Sequence, residues 1–359
     1  MSLTLNKGTL VASVLAGSWR QFPSPLEISA AQLEVATPGM LASGAGALAW
    51  KRVSESTLCT SPSAKELEQA YRLHALQSAI HERDIQNVLA LLSRAGIDPV
   101  LVKGWAIARL YPESGLRPYG DIDLCVNPKQ FAAAQAALSN QPNQHRIDLH
   151  RGFAKLDTRS WSELYARSEL LKIEDAEVRV LAPEDHLRTL CFHFLREGGW
   201  RPLWLCDIAV VVESRPENFD WDLFLGPDPK RREWFACSIM LAHHLLEADL
   251  DGVPEAIARR RLPGWLVPAV LKAWEVHAML HRHSTPMKNL WRKPTYALRP
   301  KNLRTHWPNA IEGTIGLNGP FNELPRLPFQ LGNCAVRAMD YLRHLPSMLR
   351  DDSARSGPK

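Results

Sequence analysis

The sequence predicts an α+β chain, a compact sheet-forming segment with helices ahead of it and a helical stretch behind it. Three observations predict this. Between residues 99 and 181, apolar runs of strand length alternate with helix-period stretches. A long helix-period segment precedes them, and from Pro183 onward apolar residues recur at helical spacing. The implied division is an N-terminal helical segment (1–62), an α/β core (63–182), a helical domain (183–284) and an irregular extension with a terminal helix (285–359).

Residues 1 to about 60 mix apolar stretches with Pro23, Pro25 and Pro38 and a Gly/Ala run from Ala42 to Ala49, which predicts short helices. Ser63 is the expected N-cap of a long helix, with Glu66 completing a capping box. That helix runs to Arg94, with Leu67, Ala70, Tyr71, Leu73, Leu76, Ile80, Ile85, Val88, Leu91 and Leu92 as its expected inner residues, and Ala95-Gly96 ends it. Pro99 to Val102 predicts a short buried strand. Lys103-Gly104 turns the chain into a helix over Trp105 to Leu110. A strand is expected over Asp121 to Val126, and a helix capped by Asn127, with Pro128 at its first position, runs to Leu138. Arg146 to His150 predicts a second alternating strand, and Glu177 to Leu181 an edge strand. Beyond Pro183, helices are expected near 183–197, 202–213, 230–248, 253–260 and 264–281, broken by Gly198-Gly199 and the Pro-rich 226–229. The proline-rich stretch 285–345 predicts irregular chain before a last helix near 333–349, with disorder from Asp351 to Lys359.

Composition narrows the function classes. With 359 residues, 45% apolar and 23% charged, the chain matches ordinary globular proteins and not disordered, collagenous or coiled-coil ones. A net charge of +5 and a pI near 8.9 favour anionic ligands such as nucleotides, but fall short of the basic footprint of a nucleic-acid binder. No apolar run approaches the roughly 18 residues of a membrane span. Leu10 to Gly17 looks faintly like a signal peptide but lacks a convincing cleavage site, and predicts an amphipathic helix instead. The six cysteines contain no C-x-x-C pair and sit beside apolar residues, as buried thiols of a reducing cytoplasm do.

The chemistry concentrates in two short runs. In Gly120-Asp121-Ile122-Asp123-Leu124, the two-residue period of a strand sets Asp121 and Asp123 on one face and Ile122, Leu124 and Val126 on the other. Two such carboxylates repel and raise each other's pKa unless a cation lies between them. In the second strand Ile147 and Leu149 face inward, and Arg146, Asp148 and His150 share the opposite side. Placed beside the first strand, Asp148 adds a third carboxylate. Three carboxylates on adjacent strands suit hard divalent ions that also hold substrate phosphates. A D-x-D pattern alone is weak, but Lys103-Gly104 at a strand-to-helix turn adds a positive charge and a close backbone approach for phosphate. Arg117 either pairs with a carboxylate or contacts phosphate.

The runs Lys103-Gly104-Trp105-Ala106, Arg117-Pro118 ahead of Asp121-Ile122-Asp123-Leu124, and Ile147-Asp148-Leu149-His150 together resemble an uncharacterised bacterial branch of the DNA polymerase β-type nucleotidyltransferase superfamily. Weaker agreement continues through Pro183-Glu184-Asp185-His186-Leu187, Cys191-Phe192-His193, Trp204 to Ile208 and Asp220-Trp221, so the likeness covers about 70–225. Commoner members carry Gly-Ser at the first turn, where this chain has Lys103-Gly104. The resemblance implies a polymerase β-like core with a small mixed sheet. It implies that Asp121 and Asp123 bind Mg²⁺ or Mn²⁺, with Asp148 completing the site and assisting deprotonation of the attacking hydroxyl. Lys103 and Gly104 would hold the β and γ phosphates of an NTP, with Arg117 in the nucleotide site. The acceptor implied is a small molecule, peptide or protein; an RNA acceptor, as for toxin-like relatives, and an idle nucleotide- or partner-binding module are the alternatives.

Other polar clusters carry less. His186 and His193 lie seven apart with Cys191 nearby, yet no further Cys/His pair has ligand spacing, so the expectation is histidines of the core or just behind a site, not metal ligands. Asp207, in a strongly apolar helix, needs a partner: an Arg or His across a domain interface, or the nucleotide. His243-His244 and His281-Arg282-His283 read as surface, Lys230-Arg231-Arg232 as a solvated helix start. The twelve tryptophans show no basic-aromatic interleaving.

Overall fold

A computed structural model of the chain describes residues 6–139, 146–153, 157–275 and 307–355. Three short helices come first: α1 (Lys7–Leu15), α2 (Ala30–Ser43) and α3 (Gly46–Ser54). Leu10, Val11, Val14 and Leu15 of α1 are buried, while Thr9 and Ser13, four apart on its remaining side, are half-buried. At Gly8 a Cβ would lie 2.2 Å from the Leu271 carbonyl oxygen, and only glycine allows that approach. α2 starts on a Ser29–Gln32 capping box and ends at Gly44, whose φ of 76° is left-handed.

The long helix α4 spans Pro62–Arg94. Its cap is Ser61, which accepts from the Ala64 N–H, and not Ser63, which is buried. Pro62 takes the first helical position, where its missing N–H costs nothing. Leu67, Ile85, Val88 and Leu92 are buried as expected, but Leu73, Leu76 and Ile80 are exposed. The helix leaves α3 before it reaches the sheet, and between those two supports its inward positions are Ser78 and His81.

The sheet has five strands, β1 (Val100–Leu101), β2 (Ile122–Val126), β3 (Ile147–Arg151), β4 (Glu169–Ile173) and β5 (Ala176–Val180), in the order β3-β2-β1-β5-β4. β2 pairs parallel with β3 and antiparallel with β1; β1 pairs parallel with β5, and β5 antiparallel with β4. The segment expected at an edge is therefore interior as β5, and the edge is β4. β4 escapes the period-two signal because Glu169 and Leu170 are both exposed. One face, with Leu101, Ile122, Leu124, Val126, Val178 and Val180, packs on Ile85, Val88, Leu89 and Leu92 of α4 and on α6 (Phe131–Leu138). α6 starts later than expected, because the Asn127 side chain accepts from Lys129 N–H and closes a turn through Pro128. The other face buries Val100, Val102 and Cys125 with Phe153, Leu164 of α7 (Trp161–Arg167) and Leu181. Between β1 and β2 lies the short helix α5 (Gly104–Ala108).

The helical part comprises α8 (Pro183–Arg196), α9 (Pro202–Glu213), α10 (Trp221–Leu225), α11 (Pro229–Leu246), α12 (Glu255–Ala258) and α13 (Leu266–Glu275). Gly198 and Gly199, at φ 74° and 68°, separate α8 from α9. α12 is shorter than the expected 253–260, and the end of the expected 264–281 helix lies outside the described residues. These helices share one core with α1–α3, built on Trp234, Phe194, Phe224 and Phe235 together with Leu15, Leu33 and Leu48. Two buried ion clusters stitch them to the sheet side. Asp185 holds Arg159 and Arg167, and Arg188 donates to Asp157 at 2.8 Å and to the Phe224 and Leu225 carbonyls.

The chain continues through α14 (Ala310–Gly316), capped by Asn309 and Glu312, into α15 (Leu327–Arg355). α15 starts earlier than the expected 333, since Pro328 stands in its first turn where proline is tolerated. It runs through residues 351–355, where the sequence predicts disorder. Residues 285–306 and 356–359 and the His281-Arg282-His283 run lie outside the described residues. All six cysteines are free thiols, four of them buried. His243 and His244 are exposed, and Arg231 and Arg232 pair with Asp228 and Asp222 at the start of α11.

Candidate active site

Parallel pairing of β2 and β3 sets Asp123 directly beside Asp148, and Cys125 beside His150. Alternation then puts Asp123, Asp148 and His150 on one sheet face, while Ile122, Leu124 and Val126 go to the α4 side. His150 Nε2 lies 3.3 Å from Asp123 Oδ1 and 3.3 Å from Asp148 Oδ2. Lys103 Nζ reaches the same Asp123 oxygen at 3.3 Å. Asp123 is largely buried, with 14% of its side chain exposed, whereas Asp148 stands 59% exposed at the rim.

The local backbone explains how Lys103 gets there. Val102 still bonds to the β2 backbone, its N–H donating to Asp123 O at 3.0 Å. The next residue, Lys103, adopts φ 54°, and Gly104 φ 38°. From that turn the Lys103 side chain reaches the neighbouring strand β2, where its Nζ meets Asp123. A non-glycine residue at such a φ is uncommon and marks a site the surroundings hold in place. α5 has only five residues, so what the turn offers an anion is chiefly the Lys103 charge and the bare backbone of Gly104.

The charges act on one another. Partial burial raises the Asp121 pKa, and the neighbouring Asp123 and Asp148 charges raise it further. Burial also pushes Asp123 upward, but the His150 hydrogen bond and the Lys103 charge outweigh it and hold that carboxyl below its usual range. One carboxylate thus has compensating partners in the chain, and the other lacks sufficient ones.

A cavity of about 720 Å³ opens over these groups. Asp121, Asp123, Asp148, His150, Lys103 and Gly104 form its sheet-side wall. The opposite wall comes from the end of α2 and Gly44, from His74 and Gln77 of α4, from His193 and Arg196 of α8, and from Arg201 and Trp204 at the start of α9. Trp204 orders that wall, meeting the His193 ring edge-on at 4.3 Å and underlying the Arg201 guanidinium at 5.6 Å. Arg201 Nε donates to the Ser43 carbonyl at 2.6 Å. Burial, with the Arg117 charge nearby, lowers its pKa to about 10. Among the described residues no carboxylate lies on this wall, so the cavity is acidic at the sheet end and cationic at the helical end.

Arg117 touches the cavity but is already committed. Its Nε and Nη2 donate to Asp207 at 3.1 and 2.7 Å, its Nη1 to the Pro118 carbonyl at 3.3 Å, and Tyr111 Oη adds a bond to Asp207 at 2.8 Å. Asp207 therefore finds the cross-interface arginine that burial demands, and of the two alternatives for Arg117 the structure forms the carboxylate pair. His186 is buried in the core, where desolvation lowers its pKa to about 3. His193 lines the cavity, with its buried Nδ1 unpartnered.

His150 is the one site residue left without a role that a local signal marks, two positions after Asp148 on the same strand face. On the helical wall only His193 and Trp204 fall in runs the sequence singles out, and no local signal marks His74 or Arg201. His74, His193, Arg201 and Trp204 are scattered along the chain, and only the packing of three helices brings them to one surface.

A mixed sheet thus presents neighbouring aspartates and a lysine to one cavity, the arrangement that the resemblance to nucleotidyltransferases implies. The family model described as uncharacterised nucleotidyltransferase matches residues 41–247, from the last turn of α2 to just past α11, and the chain belongs to that family. Every residue of both cavity walls lies inside that span. No curated protein and no solved structure shows a significant match.

Proposed function

We propose that this cavity transfers a nucleoside monophosphate from an NTP to a hydroxyl or phosphate oxygen of a small-molecule, peptide or protein acceptor. The carrying observation is the register that sets Asp123 against Asp148 beside Lys103 at the cavity wall. On this reading the sheet and its helices are a polymerase β-like core. The unit 63–182 supplies the chemistry and, through His74 and Gln77 of α4, part of the opposite wall; the segments 1–62 and 183–284 supply the rest of that wall, and 285–359 is an extension.

Asp121, Asp123 and Asp148 together carry more negative charge than Lys103 neutralises, which fits the donor set to divalent cations such as Mg²⁺ or Mn²⁺. When bound, such ions neutralise charge on the triphosphate and on the leaving group. Asp148, exposed at the rim, is placed to accept the proton of an incoming acceptor hydroxyl. Lys103 and Gly104 meet the β and γ phosphates. The acceptor oxygen forms a bond to the α-phosphorus, the bond from that phosphorus to the bridging oxygen breaks, and pyrophosphate leaves with the electron pair. Catalysis on this scheme is positioning and electrostatics. No helix among the described residues is long and apolar enough to cross a membrane, and the free thiols accord with a cytoplasmic setting.

The test is thermal stabilisation by each NTP, with and without Mg²⁺ or Mn²⁺, on the wild type and on Asp121→Ala/Asp123→Ala. A ligand that binds only the folded state raises the melting temperature by mass action. The expected result is a metal-dependent shift, larger for one NTP, that the double variant loses. An NTP shift indifferent to both metal and mutation would instead point to a binding module without this chemistry.

A further inference from the structure

We propose that His150 is a metal ligand, so that the primary cation site is Asp123–Asp148–His150 and prefers Mn²⁺-type ions to Mg²⁺. This rests on the nucleotidyltransferase reading and deepens it, since three carboxylates alone would make an all-oxygen site.

The argument is geometric. His150 Nε2 sits 3.3 Å from one oxygen of each aspartate, and single donor atoms of the three residues all lie within 4.8 Å of one another. Donors in adjacent positions around an ion with bonds of about 2.1 Å are separated by about 3.0 Å in octahedral and about 3.4 Å in tetrahedral geometry. The imidazole nitrogen therefore already stands at ligand spacing from both carboxylates. The register explains why: His150 follows Asp148 by two residues on the same face, and its ring reaches back over the gap between β2 and β3. Only 12% of the His150 side chain is exposed, so the ring is held there by its surroundings.

Asp121 falls outside this three-residue group while lining the same cavity, which leaves its carboxylate for a second ion or for the open side of the first. Lys103 bears on the site through Asp123 Oδ1, the oxygen it shares with His150. A cation on that oxygen takes the place of the lysine as its counter-charge and leaves the ammonium for a substrate phosphate. Metal selectivity follows from the nitrogen. Mg²⁺ wants oxygen donors in strict octahedral array, whereas imidazole suits the transition metals, and Mn²⁺ accepts both donor types.

The experiment uses the full chain and the metal alone. Mn²⁺ is titrated by electron paramagnetic resonance, Mg²⁺ by competition, and electron spin-echo modulation asks whether a ¹⁴N nucleus is bonded to bound Mn²⁺. The expected outcome is nitrogen modulation in the wild type that His150→Gln abolishes. The same variant should weaken Mn²⁺ by about tenfold or more and Mg²⁺ far less. Should His150→Gln fail to fold, retention of the modulation in each of His74→Gln, His81→Gln and His193→Gln assigns the nitrogen by exclusion. Bound Mn²⁺ with an oxygen-only signal, lost in Asp123→Asn, overturns the role of His150 and leaves the nucleotidyltransferase reading standing. Failure to bind Mn²⁺ with or without NTP removes both.

Discussion

Asp207 and Asp123 each face a cation, and the two pairs are built to opposite ends. Asp207 is fully buried and takes two parallel bonds from Arg117 plus a third from Tyr111. Asp123 meets Lys103 at one oxygen only, at 3.3 Å, and shares that oxygen with His150. The first pair has a planar fork matched to a carboxylate and no capacity left over. The second uses a point charge on a flexible stem, set against a carboxylate that keeps its other oxygen for something else. A saturated pair holds walls together. An unsaturated one at a cavity wall is a place where a ligand completes the charge balance.

The largest expected effect breaks the saturated pair. Asp207→Ala leaves Arg117 charged, 6% exposed and without its counter-ion. Removing one partner of a buried pair costs about 3–5 kcal/mol. Chemical denaturation should show that loss as a lower midpoint at unchanged slope. A variant as stable as the wild type would mean that water already reaches Arg117.

The same comparison tells how far the sequence could be read. The faces of β2 and β3 were legible because a two-residue period is local: Asp123, Asp148 and His150 fall where alternation puts them. The partnership of Arg117 with Asp207 was legible only as a need, since a carboxylate in an apolar helix demands some cation and a separation of 90 positions hides which. The exposed stripe of Leu73, Leu76 and Ile80 misled for the opposite reason: helical periodicity says which residues share a face, not whether anything covers it. Strand order was hidden too. β5 and its hairpin partner β4 are equally short, and which of them is inserted beside β1 is decided by packing at distance.

Lys103→Met provides a middle-sized effect and tests the unsaturated pair from its cationic side. Charge-assisted hydrogen bonds contribute about 1.5–3 kcal/mol, so metal–NTP affinity should fall by about tenfold to a hundredfold in calorimetric titration. Stability should change little, because the turn conformation stays available to an unbranched side chain and the ammonium makes one long hydrogen bond within the chain. A variant that binds NTP normally but unfolds early would move Lys103 from the ligand to the scaffold.

The smallest effect is the most diagnostic, because its sign runs against ordinary mutagenesis. Partial burial and the charges of Asp123 and Asp148 raise the Asp121 carboxyl above its unfolded value, so in metal-free protein its ionised form opposes folding. That opposition is fully present above the folded pKa. It fades as pH falls through that value, and is gone below the unfolded value of about 4. Asp121→Asn should therefore melt slightly higher than the wild type at pH 7 without metal, with the gap closing as the solution is acidified through the carboxylate range. Divalent cation should reverse the order, stabilising the wild type more than the variant, because only the wild type keeps the charge for the ion to neutralise. Asp123 behaves oppositely: its carboxyl is held down by His150 and Lys103, so its ionised form supports the fold above the unfolded value and that support is lost in acid. Two aspartates two positions apart with opposite pH signatures in the absence of metal would separate the carboxylate the chain already satisfies from the one that waits for a cation. Identical signatures would mean that the strand does not discriminate between them.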